Sequence, residues 1–206
     1  MRKYYFLLVS SLLLIFSFVA FSDNLFTDIN QPSNSDSKFI IHGVLMFLWF
    51  GTFVVQSYFI AVKNYGAHRS WGKAGMLLAI GVFLSTVYVF VAVFDSWSSM
   101  EPFVKANRLL MLSFGVFLTL GYLRRAKAAE HKRWIFWAII LPIEPIMGRV
   151  SDFFLIDNWE LFYALVWHSF FASFFIYDWV TLKRIHLISW IGLSWFYIAW
   201  LISFFS

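Results

Sequence analysis

Apolar residues in this chain gather in long, nearly unbroken stretches instead of recurring at every second or every third to fourth position. Seven stretches, residues 5–21, 39–62, 74–94, 109–123, 134–148, 161–177 and 187–205, are each bounded by charged or polar clusters. Their lengths bracket the ~20 residues a helix needs to cross ~30 Å of hydrocarbon. Lipid offers no hydrogen bonds to exposed backbone, so each stretch must be a helix or a barrel strand, and barrel strands would alternate over about ten residues. The pattern predicts an all-α integral membrane protein, a bundle of seven transmembrane helices. The first stretch has a second reading. Arg2 and Lys3, a short apolar run and Ala20-Phe21-Ser22 ahead of Asp23 also fit a cleavable signal peptide, which would leave six spans. Residues 1–22 are therefore a first transmembrane helix or a signal peptide, and residues 23–206 a single helical-bundle membrane domain.

Charge supplies the orientation, because Lys and Arg are retained on the cytoplasmic side. The N-terminus and segments 63–73, 124–133 and 178–186 hold Arg2, Lys3, Lys63, Arg69, Lys73, Arg124, Arg125, Lys127, Lys132, Arg133, Lys183 and Arg184, against the acids Glu130 and Asp178. Segments 22–38, 95–108 and 149–160 hold only Lys38, Lys105, Arg108 and Arg149 among the bases, with eight acids. The expectation is a multi-pass protein of the bacterial cell (inner) membrane, N-terminus cytoplasmic and C-terminus outside. Composition agrees: 61% hydrophobic, 23% aromatic and 13% charged residues leave too little polar surface to coat a soluble domain. The net charge of +5 follows from orientation and attraction to anionic lipid, so the expected partner is the bilayer and not nucleic acid. The absence of cysteine excludes disulfides, thiolate metal sites, iron–sulfur clusters and c-type haem attachment.

Ionisable groups inside spans carry the candidate chemistry, since lipid should exclude them. Leu141-Pro142-Ile143-Glu144-Pro145 sets a carboxylate between two prolines, each of which removes a backbone N–H, so the fifth span should kink or break there. Such breaks are where membrane proteins build ion and substrate sites. The fourth and fifth stretches are short and must extend past Arg108 and Arg149, which draws both arginines into the outer half in search of an anion. Glu144 is the one acid within a span, so either an Arg108–Glu144 bridge forms, with Arg149 snorkelling to headgroups, or the three residues shape a pocket for an anionic group. His42 and His168 lie in the outer halves of the second and sixth spans. Facing each other at one depth, with Gly43 leaving room, they would suit a b-type haem or another redox cofactor, and the arginines its propionates. His68 and His131 are candidates at the inner boundary. Trp97, Trp134, Trp159, Tyr177 and Trp179 are placed in the aromatic belts. Phosphate-loop, nucleophile-elbow, H-E-x-x-H and dinucleotide signatures do not occur.

The run Ile41-His42-Gly43-Val44-Leu45-Met46, followed by His68-Arg69-Ser70-Trp71-Gly72 and by His131-Lys132-Arg133-Trp134, resembles a family of bacterial multi-pass membrane proteins of unknown function over roughly residues 38–180. It is also similar to cytochrome b561, where a His-Gly at a helix start and later single histidines ligate two haems. That likeness implies His42, His68, His131 and His168 as ligands, although two whole spans separate His68 from His131. Three functions follow as expectations: an outer-half polar site of His42, Arg108, Glu144, Arg149 and His168 binding haem for electron transfer; a small permease or lipid-binding protein using Glu144 with a lipid-soluble or anionic ligand; or a scaffold subunit without a site.

Overall fold

The computed structural model describes residues 2–206; Met1 and the side chain of Arg2, which was counted with the inner bases, lie outside the described residues. The chain is 82% helical. Its α-helices are α1 Tyr5–Ala20, α2 Ser37–Ala61, α3 Tyr65–Ala92, α4 Pro102–Leu123, α5 Ala128–Ile140, α6 Glu144–Phe153, α7 Trp159–Leu182 and α8 Leu187–Phe205. Five, namely α2, α3, α4, α7 and α8, are long and apolar enough to cross a membrane, and the bent pair α5–α6 makes a sixth if it is one span. At sixteen residues α1 is apolar but shorter, so seven crossing helices are not established.

Two compact units form, Met1–Val93 with Ile146–Leu155, and Phe94–Pro145 with Ile156–Ser206. In the first, α1 buries Val9, Ser10, Leu13, Ser17 and Ala20, one face of a 3.6-residue period. Its serines cost little inside, because their hydroxyls donate back to the carbonyls of Leu7 and Leu13 at 3.0 and 2.9 Å. The helix α3 turns Gly75, Ala79, Val82 and Thr86 inward, a stripe of small residues that lets α2 approach closely. A Cβ at Gly75 would lie 3.0 Å from the Thr52 methyl.

Several helices begin or end outside the apolar stretches, which corrects those expected boundaries. Asn64 caps α3 by accepting from the Ala67 N–H at 3.1 Å, so the helix starts nine residues before the apolar stretch and takes up most of the expected 63–73 connection. Lys132 and Arg133 belong to α5 and Asp178 to α7, not to connecting loops. Lys105 is buried in α4, where its ammonium donates to the Ser206 carbonyl at 2.7 Å.

The second unit is built on aromatic packing. Phe136 and Phe174 stack with centroids 3.8 Å apart, and Trp137 lies against Gly192, where a Cβ would come within 2.1 Å of the indole. Only glycine lets α5 and α8 meet there. Trp134, expected in a membrane belt, is buried instead on Phe117 at 5.1 Å. Trp159 and Trp179, placed in the same belts, do face outward. The predicted break is present: α5 stops at Ile140, α6 starts at Glu144, and the pair bends by 46°. Pro142 and Pro145 cannot donate the N–H groups a continuous helix would need. The Ile140 carbonyl, left without its helical partner, accepts instead from the Trp167 indole N–H at 3.1 Å.

Candidate functional site

The five residues expected in one outer site divide between the two units and take different partners. In the first unit, His42 Nδ1 lies 3.1 Å from Ser85 Oγ. Because the Ser85 hydroxyl already donates to the Val82 carbonyl at 2.9 Å, it accepts from His42, so the ring carries its proton on Nδ1 and keeps an Nε2 lone pair. Gly43 beside it opens onto empty space. Arg149 neither pairs with Glu144 nor reaches unaided for headgroups. Its Nη1 donates to Asp23 Oδ2 at 3.2 Å and to Asn24 Oδ1 at 3.3 Å, and its guanidinium covers the Phe21 ring. Burial acts to raise the Asp23 carboxyl pKa, but the Gln31 amide, the Asn24 backbone and the Arg149 charge outweigh it and hold that group below the usual carboxylate value.

In the second unit, His168 has both ring nitrogens engaged. Nδ1 donates to the Ala164 carbonyl at 2.6 Å, which leaves Nε2 to accept from the Tyr197 hydroxyl at 2.7 Å. A metal at Nε2 would have to displace that hydroxyl. Arg108 stacks on Phe94 with 5.6 Å to the ring centroid, and among the described residues no ion pair joins it to Glu144. The expected bridge is therefore not formed. Glu144, the first residue of α6 at the break, is 9% exposed, and no hydrogen bond or ion pair reaches its side chain among the described residues. A carboxyl in that position is costly unless a proton or cation neutralises it.

Two of the three runs that carried the family resemblance are clasps between helices. With its amide oriented by the surrounding hydrogen bonds, Gln56 of α2 donates to His68 Nδ1 at 2.6 Å and accepts from the Gly72 N–H at 3.2 Å. In the second motif His131 Nδ1 meets the Gly121 carbonyl at 2.8 Å, Lys132 donates to the Tyr177 hydroxyl at 2.8 Å, Arg133 pairs with Asp178 and Trp134 packs on Phe117. His68 and His131 thus have local partners on their own bundles.

One cluster escaped the sequence reading. Arg133 and Asp178 are both fully buried. Asp178 Oδ1 accepts from Arg133 Nη2, while Oδ2 accepts from Arg133 Nε at 3.3 Å, from the His186 backbone N–H at 3.0 Å and from the Ser189 hydroxyl at 2.7 Å. His186 caps α8 by accepting the Ile188 N–H on Nδ1 at 3.1 Å. Burial, with Arg133 and Arg184 and against Asp178 and Glu130, lowers the His186 pKa, which suits a ring that must accept a hydrogen bond. A usable signal existed: Asp178 ends the sixth apolar stretch among bases, forty-five residues after Arg133. Compared with protein families, with curated proteins and with solved structures, the chain gives no match.

Proposed function

We propose that this chain is a small permease of the bacterial cell membrane, seven-spanning with its N-terminus cytoplasmic and its C-terminus outside, whose broken fifth span carries a proton or monovalent cation on Glu144. The reading rests on one observation: a carboxyl nine-tenths buried at a proline break, with no partner among the described residues. Retention of the first segment as a span is supported by α1's packing, where Ser10 is fully buried and Leu13 is 1% exposed. The orientation rests on the excess of bases in alternate connections. Protein reconstituted in liposomes containing a pH-sensitive dye, driven by a potassium diffusion potential, should pass protons or sodium. Glu144→Gln should abolish that flux with insertion unchanged, and Glu144→Asp should retain part of it. Equal flux in wild type and Glu144→Gln would sink the proposal.

A redox reading retains one support, the free Nε2 of His42 beside the open Gly43. Protein expressed with ample haem should then show a Soret band that His42→Ala removes. Its absence ends this reading.

A further inference from the structure

One corner of the second unit carries a charge surplus that the Glu144 reading does not use. The ends of α4, α5 and α7 are tied together there by the Lys132–Tyr177, His131–Gly121 and Arg133–Asp178 contacts. Buried Arg133 and Asp178 cancel each other. Around them stand Arg124, Arg125, Lys127, Lys132, Lys183 and Arg184, with Glu130 as the acid partner of Arg124 and Lys127. Six bases against one acid leave a surplus of five, as large as the formal net charge of the whole chain, +5.

Several of these bases are set up to receive an anion. The Lys132 ammonium is steered by the Tyr177 hydroxyl and lies 5.0 Å from the Tyr177 ring centroid, which uses one of its three donors. Arg125 stacks 4.3 Å from the Tyr122 ring centroid and spends one donor on the Tyr122 carbonyl. The side chains of Lys183 and Arg184 make no hydrogen bond or ion pair among the described residues, and both are exposed. Lys183 holds the left-handed turn, φ 59°, that ends α7. Next along the chain stand exposed apolar side chains: Leu123, Trp179, Val180 and Leu187. Cations at a helix end above an outward apolar band match a ligand with phosphate at one end and hydrocarbon at the other. A soluble acidic protein or a nucleic acid would leave the apolar half of that surface unused.

We propose that this corner binds the headgroup of an anionic phospholipid, with Lys132, Lys183 and Arg184 contacting phosphate and Trp179 and Leu187 lying against the acyl chains. The inference does not rest on the transport reading. The test uses full-length protein in neutral detergent, equilibrated with equal phosphatidylglycerol and phosphatidylcholine, and counts lipids retained by native mass spectrometry. Wild type should retain phosphatidylglycerol preferentially, and the preference should fall about fivefold for each base removed. Lys183→Gln with Arg184→Gln breaks no described contact and so keeps the fold, while Lys132→Gln adds the tyrosine-steered base. Arg69→Gln with Lys73→Gln, in α3, should leave the preference intact. The proposal is overturned if both lipids are retained equally, if the α3 pair costs as much as the Lys183 and Arg184 pair, or if inorganic phosphate displaces the lipid as well as free phosphatidylglycerol does.

Discussion

Two carboxylates of the second unit are buried in opposite ways. Asp178 accepts from an arginine, a serine and a backbone N–H, and its charge is cancelled where it sits. Glu144 is buried at a helix break with no described partner at all. The same chemical group costs little in the first place and much in the second, because an unpaired charge in a low-dielectric interior forfeits its hydration without return. Asp178 has every reason to stay as it is. Glu144 has a reason to bind something, and the contrast separates a carboxylate that holds helices from one available for chemistry.

That contrast can be broken most forcefully at the satisfied end. Asp178→Ala strands Arg133 and should cost about 3–5 kcal/mol, read as a fall in the thermal or denaturant midpoint of purified protein. Arg133→Met with Asp178→Leu should recover most of the loss; if the double variant is no better than the single, the cluster does more than neutralise itself. A smaller effect belongs to the break. Trp167→Phe leaves the Ile140 carbonyl buried without a donor and should cost about 1–3 kcal/mol by the same measurement.

Acidification sharpens the comparison further. The folded His186 pKa lies below its ordinary value of 6.5, so unfolded chains bind the proton more readily. The stability this cap contributes is complete above pH 6.5 and drains away as pH falls through the folded value. His186→Asn, a cap that does not titrate, should flatten the midpoint over that window. Losses from Asp23, whose folded pKa is lowered from 3.8, start only as the pH falls towards that value and then continue below it. The smallest loss of all belongs to Glu144→Gln: no described contact goes with the carboxylate and an unpaired buried charge is removed, so the midpoint should hold or rise. A large drop would show that Glu144 is structural and would collapse the distinction.

The five long apolar helices and the break were legible because they are local: apolar length sets the first, and Pro142 with Pro145 the second. Partners were not. Pairing Glu144 with Arg108 followed from counting acids inside spans, and it failed because hydrophobic run length does not show where a helix stops. The helix α7 runs five residues past Tyr177, which carries Asp178 into the interior to meet Arg133. Arg149 found Asp23 from 126 positions away, a separation no periodicity reports. Trp134 was set at an interface by residue type alone, although its place depended on Phe117 on the neighbouring helix. His42 was located correctly as a polar residue within a helix, but its tautomer depends on a hydroxyl forty-three residues away.

The narrow fit of Trp137 on Gly192 bears on how the chain is made. At thirteen residues α5 covers about 20 Å, too little to hold it across hydrocarbon by partition alone. One wall for it, α4, emerges from the ribosome before it, but the wall that includes Gly192 belongs to α8 and is synthesised after α7. Until then the packing of α5 is incomplete, and its Trp137 face gains the Gly192 wall only once α8 has been made. A chain stalled before α8 should leave exposed the face of the Trp137 indole that Gly192 covers, while Phe171 and Phe174 of α7 can already pack against the rest.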